Sequence, residues 1–167
     1  MPLVFINKMM EKKWLGKKTR QGFYKKTKDA KGKKEKLALD YNTLEYAPAN
    51  KPKFASIDSA KKIEDIQARI KAVFFAADKA GEVAREYLSN NFIYAANRVP
   101  EISDTIVGVD NAIRWGYNHE LGPFESWDAV GLKDSVAAME EMGKAVPQKI
   151  KDMLAAGFEA FYQKRAD

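Results

Sequence analysis

Residues 121–132 read LGPFESWDAVGL, and this stretch decides the fold class of the chain. Its Gly122-Pro123 pair predicts the start of a helix, because proline fits the first helical turn, where its missing N–H costs nothing. Gly131 ends the helix nine residues later. Between these limits three side chains fall on one helix face, and they are Phe124, Trp127 and Asp128.

The same helical periodicity continues on both sides of this stretch. Upstream, apolar residues recur every three or four positions from Ser59 for four turns, namely Ile63, Ile66, Ile70, Val73, Phe74 and Ala77. Further patterns predict helices at about 80–97, 105–115, 133–142 and 147–157, and a short helix at 2–11. Together they predict an all-α fold.

The front of the chain differs from the rest in charge. Residues 1–62 hold 17 Lys and Arg against 6 Asp and Glu, whereas residues 63–167 hold 12 against 17, for a net charge of +6. Seven lysines fall within 25–36, a run without a large apolar residue, and this composition favours a mobile segment. Residues 37–47 alternate around Asn42-Thr43 and predict a small hairpin or an extended strap. We interpret 25–58 as a Lys-rich and then extended linker, with polyanion binding as the alternative.

Composition excludes several classes of protein. The chain has no Cys and a single His, which excludes disulfides, thiolate catalysis and Cys- or His-rich metal sites. That histidine, His119, is expected to be a surface or packing residue. The longest apolar run, 72–77, is too short to cross a bilayer, and the first residues lack a signal-peptide pattern. We expect a cytoplasmic protein without a bound metal or a membrane span.

The two ends of the chain resemble each other. A proline, an apolar i, i+3, i+4 stripe and a Phe-Tyr pair occur in the same order at both ends, and the stripes lie at one offset of 144. Such an internal repeat predicts that 1–24 is the tail of one helical domain and 59–167 a complete second copy. The repeated residues are Pro2, Ile6, Met9, Met10, Phe23 and Tyr24 at the front, and Pro147, Ile150, Met153, Leu154, Phe161 and Tyr162 at the back.

Two motifs resemble the C-terminal helical domain of the 3-hydroxyacyl-CoA dehydrogenases. Residues 14–24, WLGKKTRQGFY, are similar to the family's G-x-K-T-G-x-G-F-Y signature, and residues 109–132 are similar to its D-x-A-M-x-x-G … G-P-F-E-x-x-D-x-x-G-L core. Larger members carry this domain twice in tandem, which accounts for the repeat. The motif positions carried over as structural are Gly16, Thr19, Gly22, Phe23, Tyr24, Asp110, Gly116, Gly122, Pro123, Phe124, Asp128 and Gly131.

The sequence also departs from the family pattern. Arg20 stands where the family usually has glycine, so a left-handed backbone there would be strained. No G-x-G-x-x-G occurs, so the Rossmann domain that binds NAD and holds the family's catalytic His–Glu pair is absent from this chain. Asn97-Arg98 resembles the family's Asn-Arg pair but lies too close to the Asp110 motif, and no catalytic role is carried to Asn97.

The resemblance implies a function for the longer protein. That function is the NAD-dependent oxidation of (S)-3-hydroxyacyl-CoA to 3-oxoacyl-CoA in fatty-acid β-oxidation, with this chain as the substrate-binding and assembly part. We therefore assign no catalytic, cofactor-binding or metal-binding residue here, and leave the substrate-binding residues open. The expected partners are an acyl-CoA substrate, the upstream Rossmann domain, and a second helical domain packed by repeat–repeat contact or in a homodimer.

Two other functions stay open. The chain could be a non-enzymatic module that binds nucleic acid or an acidic partner through 1–36, although nucleic acid is not the expected partner. It could also be a pure oligomerisation module.

One carboxylate also has two interpretations. Asp128 could be a general base with a raised pKa, but we favour an acceptor of hydrogen bonds from a neighbouring turn or helix N-terminus.

Overall fold

The computed structural model describes residues 3–163. The chain has two compact units, whose bounds are Met1–Pro52 and Lys53–Asp167. The first unit contains helix α1 (Leu3–Glu11), a short 3-10 turn (Lys17–Thr19) and strands β1 (Tyr24–Lys28), β2 (Lys34–Leu39) and β3 (Tyr46–Pro48), which form an antiparallel sheet in the order β1-β2-β3. The second unit contains α2 (Ala55–Ala60), α3 (Ile66–Phe74), α4 (Lys79–Asn97), α5 (Ile106–Tyr117), α6 (Pro123–Val130), α7 (Leu132–Glu141) and α8 (Gln148–Ala155). The predominantly helical fold is confirmed.

The lysine run is folded, contrary to the prediction of a mobile segment. It forms most of β1 and β2, joined by a turn in which Asp29 Oδ1 accepts hydrogen bonds from the N–H groups of Lys31 (2.9 Å) and Lys33 (2.8 Å). This turn chemistry was not recognised in the sequence, and it closes a hairpin that composition alone does not predict. The assignment of 25–58 as a linker between two repeats stays a prediction.

The second hairpin agrees with the sequence pattern. Strands β2 and β3 pair around a turn at Asn42-Thr43, where Asp40 Oδ1 accepts from the N–H of Asn42 at 2.7 Å. The predicted small hairpin within 37–47 is therefore confirmed.

The four-turn helix expected from Ser59 is wrong, because two short helices occupy this region. The chain breaks between α2 and α3, and Asp65 begins α3 as its N-cap by accepting from the N–H of Ala68 at 2.6 Å. The guanidinium of Arg69 donates to the carbonyl of Ile63 at 2.7 and 2.9 Å and satisfies a backbone group freed by the break. Local capping thus outweighs a continuous apolar stripe.

The core of the second unit centres on Trp127. Its ring stacks on Phe92 with the ring centroids 5.1 Å apart, and its indole N–H donates to Ser135 Oγ at 2.8 Å. Fully burying an aromatic side chain of this size stabilises the fold by roughly 1.5–3 kcal/mol. The surrounding buried residues come from α3, α4, α6, α7 and α8, so one cluster holds these five helices together.

The first and the last helix end in the same way, at the repeat offset found in the sequence. Each is followed by a residue with positive φ, Lys13 (57°) and Gly157 (86°). Each ends with the same two backbone hydrogen bonds, which are Trp14 to Met9 (2.8 Å) and Lys13 to Met10 (2.9 Å) after α1, and Phe158 to Met153 (3.1 Å) and Gly157 to Leu154 (3.0 Å) after α8. Helix α7 ends in the same way at Gly143 (φ 70°), where the N–H groups of Gly143 and Lys144 donate to Glu140 and Met139, both at 2.9 Å. This is a common helix ending, so the repeat of 1–24 in 59–167 stays a prediction.

Candidate functional site

Asp110 of α5 provides the N-terminal cap of a different helix, α6. Its carboxylate is buried and accepts hydrogen bonds from the N–H groups of Phe124 (2.8 Å) and Glu125 (3.0 Å). Those N–H groups belong to the first turn of α6 and have no partner within the helix. Since the residue at the cap position, Gly122, has no side chain, the cap comes from Asp110, 12 residues earlier in the chain.

The glycine at the cap position is required by space. A Cβ on Gly122 would lie 2.4 Å from the Cα, Cβ and Cγ atoms of Asp110. The N–H of Gly122 donates to Glu125 Oε2 at 2.7 Å, and Arg114 of α5 lies 3.1 Å from the other oxygen of Glu125. The Asp and Gly-Pro parts of the motif therefore form one helix junction.

Asp128 holds the segment that follows α8. Its carboxylate accepts from the N–H groups of Phe161 (2.8 Å) and Tyr162 (2.9 Å), while the Tyr162 hydroxyl donates to Asp110 Oδ2 at 2.7 Å. The Phe161 ring packs against Phe124, with centroids 4.9 Å apart, and against Trp127. We call this set of residues the aspartate junction, and it ties α5, α6 and the C-terminal segment together.

The electrostatics of the junction follow from burial. Burial raises the pKa of Asp110 and of Asp128, and the N–H donors around each carboxylate only partly offset this effect. Burial and the bond to Asp110 raise the pKa of Tyr162. The Asp128 carboxylate accepts from the backbone N–H groups of Phe161 and Tyr162, which agrees with its interpretation as a hydrogen-bond acceptor.

An apolar cleft of about 770 Å³ lies beside the junction, between α4, α5 and the start of α6. Gly122 and Pro123 belong to both the cleft and the junction. Apolar side chains form much of the lining, with a few polar groups at positions that could orient a ligand. The apolar group includes Leu88, Phe92, Val109, Ile113 and Leu121, and the polar group includes Asn91, Arg98, Ser103 and His119.

The other motif, in the first unit, forms a compact turn. The hydroxyl of Thr19 accepts from the N–H of Leu15 at 2.9 Å and lies 3.0 Å from the carbonyl of Gln21. A Cβ on Gly22 would lie 2.7 Å from the Cα of Gly16, so this position also excludes a side chain. Arg20 has φ 62° and ψ 4°, the left-handed conformation that glycine adopts more readily.

Several other positions singled out in the sequence lie apart from the junction. Gly116 has open space around it, and Asn97 ends α4. Arg98, which lines the cleft, forms an ion pair with Glu101 at 2.8 Å. His119 is exposed beside Tyr117 at the rim of the cleft. Phe23 and Tyr24 are exposed, and Gly131 separates α6 from α7.

Sequence reasoning missed four participants in the junction, which are Phe161, Tyr162, Arg114 and Glu125. Phe161 and Tyr162 were noticed as a repeated pair, but nothing in the sequence indicated that Asp110 and Asp128 would contact them. The Arg114–Glu125 pair had a weak signal, since Glu125 stands three residues after the cap position, where a carboxylate often bonds back to the cap N–H.

The described residues do not fit a dinucleotide or a metal. NAD sites use a parallel βαβ unit with a glycine-rich turn, whereas the sheet within residues 3–163 is antiparallel and the sequence has no G-x-G-x-x-G. In the same part of the chain no group of three or more His, Asp or Glu side chains is placed to hold a metal ion. None of its helices combines the length and the apolarity needed to cross a membrane.

Comparisons with known proteins give a consistent result. The sequence is 41% identical over 160 residues to the "Probable 3-hydroxyacyl-CoA dehydrogenase" of Bacillus subtilis, covering 96% of this chain and 20% of that protein. It is 35% identical over 164 residues to the "Fatty acid oxidation complex subunit alpha" of Psychrobacter arcticus, covering 94% of this chain and 20% of that protein. The chain thus spans about a fifth of these relatives. No family model matches the sequence, and no solved structure matches it.

Proposed function

We propose that this chain, a relative of the 3-hydroxyacyl-CoA dehydrogenases, is the helical substrate-binding and assembly part of an enzyme that oxidises (S)-3-hydroxyacyl-CoA to 3-oxoacyl-CoA with NAD⁺. The observation that carries the proposal is the 41% identity along nearly the whole chain to a protein named for this activity. The residues that the family motif marks in 109–128 also form one junction beside an apolar cleft.

The division of labour follows from what the described residues can do chemically. Asp110 and Asp128 are engaged by N–H donors, and His119 stands alone at the rim of the cleft, so no general base is poised against a substrate hydroxyl. The NAD⁺ and the proton-accepting group therefore belong to an upstream Rossmann domain. The cleft shapes the acyl-CoA side of the active site, and the aspartate junction keeps its walls together.

The remaining parts of the proposal concern partners and location. The relatives include a subunit of a named fatty acid oxidation complex, which supports assembly with further domains. We propose contacts with the upstream domain and with a second helical domain, either within one chain or in a homodimer. The proposed compartment is the cytoplasm.

The experiment is to measure NAD⁺ binding and turnover by the 167-residue chain alone. Calorimetric titration with NAD⁺ should give no measurable heat of binding, and a 3-hydroxyacyl-CoA should produce no NADH. A protein that joins the chain to an upstream Rossmann domain serves as the positive control. Reduction of NAD⁺ by the chain alone would overturn the proposal.

A further inference from the structure

The exposed face of the β1–β2 hairpin carries lysines at opposed positions of the two strands. In the antiparallel register Lys26 lies opposite Lys36, and Lys28 lies opposite Lys34. Side chains at directly opposed positions point to the same face of a sheet, and these four are exposed, whereas the alternate positions 25, 27, 35 and 37 are partly buried. We call this set of four the lysine face.

The lysine face has no charge compensation. Within residues 3–163, none of its ammonium groups forms an ion pair with a carboxylate. The two acidic residues of the hairpin are directed elsewhere, since Asp29 closes the turn and Glu35 occupies the opposite face beside Thr27. Like charges placed directly opposite one another destabilise a hairpin. The first unit, residues 1–52, adds to this field with 14 Lys and Arg against 5 Asp and Glu.

The chemistry of the face narrows the class of partner. Recognition of one particular phosphate group favours the bidentate geometry of arginine, but the face is built from lysines alone, which act as separate point charges. Single-stranded nucleic acid is held by aromatic rings on which bases stack. The aromatic residue beside the face is Tyr24, and the ammonium of Lys36 already lies 3.7 Å from its ring centroid.

We propose that the lysine face binds the surface of an anionic phospholipid bilayer. Several ammonium groups on one flat sheet face attract a plane of negative charge without needing a shaped pocket, and clusters of four to eight basic residues are typical of such contacts. Tyr24, which is 55% exposed at the edge of the face, would lie at the level of the lipid headgroups. Binding is peripheral and reversible.

The experiment is co-sedimentation of the full chain with phosphatidylcholine vesicles, with and without phosphatidylglycerol, at low and physiological ionic strength. We expect binding to the anionic vesicles only, weakening as salt increases. The test variant replaces Lys26, Lys28, Lys34 and Lys36 with Gln. Each lysine near an anionic bilayer contributes roughly fivefold to partitioning, so the variant should bind at least about a hundredfold more weakly.

A matched control removes the same charge elsewhere in the first unit through Lys8→Gln, Lys17→Gln, Lys18→Gln and Lys51→Gln, all exposed positions outside the strands. It should retain most of the binding. The substitutions remove repulsion between opposed lysines, and they also remove the contact of Lys36 with the Tyr24 ring. The thermal midpoints of both variants are therefore measured as well, and we expect both variants to be folded at the temperature of the binding assay. The proposal is overturned if both variants lose binding equally, if neutral vesicles bind as well, or if single-stranded DNA or polyglutamate binds more tightly than the anionic vesicles.

Discussion

At the scale of single residues, the buried Asp110 and the partly buried Asp128 bind backbone N–H groups of segments distant in the sequence. Asp110 caps α6 from α5, and Asp128 binds the backbone of the C-terminal segment from α6. A carboxylate can accept several N–H bonds at once, and bonds of this kind to a charged acceptor are among the stronger ones in proteins. Both aspartates therefore have a structural role in the aspartate junction, and Gly122 belongs to the same junction.

The closeness of Gly122 to Asp110 makes this glycine irreplaceable. Gly122→Ala should lower the free energy of unfolding by about 2–4 kcal/mol, because a methyl group must displace Asp110 and weaken the cap that it provides. Gly116→Ala is the matched control on α5, where a Cβ meets open space, and it should raise stability by about 0.5–1 kcal/mol. Urea unfolding measures both, and equal effects would contradict the steric argument.

The raised pKa values of the two aspartates predict a pH dependence with a definite sign. Because the pKa of each is higher in the folded than in the unfolded state, the native state takes up protons first on acidification. Their contribution to stability is present at acid pH and lost as the pH rises through the folded-state pKa. Relative to Asp128→Asn or Asp110→Asn, the wild-type free energy of unfolding should increase as the pH falls through the raised folded-state pKa towards the ordinary value of 3.8. A decrease in the free energy of unfolding relative to the variants would mean that the N–H bonds lower the pKa of the aspartates by more than burial raises it.

Arg20 carries backbone strain that glycine would relieve. A residue other than glycine in the left-handed conformation destabilises the folded state by about 1–2 kcal/mol. Replacement by glycine recovers only part of this free energy, because glycine also makes the unfolded chain more flexible. Arg20→Gly should therefore be more stable than Arg20→Ala by up to about 1 kcal/mol in thermal unfolding. Finding the alanine variant to be the more stable one would contradict the assignment of strain.

At the scale of elements, the C-terminal segment depends on α6 for its position. It has no regular secondary structure over 158–163, and the contacts described for it are the two N–H bonds to Asp128, the Tyr162 hydroxyl bond and the Phe161 ring contacts. A segment held by so few bonds opens locally without global unfolding. Its attachment is therefore the most easily altered part of the junction.

Asp128→Ala should release this segment and leave the helices intact. Each bond to a charged acceptor is worth about 1.5–3 kcal/mol, so amide exchange at Phe161 and Tyr162 should accelerate by roughly tenfold or more. Protection within α8 should be unchanged. Asp134→Ala, an exposed position in the first turn of α7, is the control. Unchanged exchange at Phe161 and Tyr162 would show that the ring contacts alone hold the segment.

The elements also show how far sequence reasoning reaches. The helices α4 to α8 are predicted well, because glycines and prolines stand near their ends and apolar periodicity runs between. The break before Asp65 and the hairpin closed by Asp29 were missed, since both depend on a single side chain bonding to nearby backbone. The contacts of Asp110 and Asp128 with Tyr162 span 52 and 34 residues, and no local pattern encodes such distances.

At the scale of the whole molecule, the charge is divided as the sequence indicated. The basic first unit contains the lysine face, and the second unit contains the aspartate junction and the cleft. The resemblance to 3-hydroxyacyl-CoA dehydrogenases, which two short motifs predicted, is confirmed by relatives that share it over nearly the full chain. Apolar cleft residues such as Ile113 and Leu121 could not be assigned from sequence, because a pocket wall and a core face have the same periodicity.

The most direct test of the proposed function is the rate of NAD⁺ reduction, with a 3-hydroxyacyl-CoA as substrate, by a protein that joins this chain to an upstream Rossmann domain of the family. The same Rossmann domain without this chain provides the comparison. The account predicts that removal of this chain lowers kcat/KM by about a hundredfold or more, because the acyl-CoA loses its positioning surface, while the Kd for NAD⁺ changes little. A Rossmann domain that keeps the full kcat/KM without this chain would contradict the account.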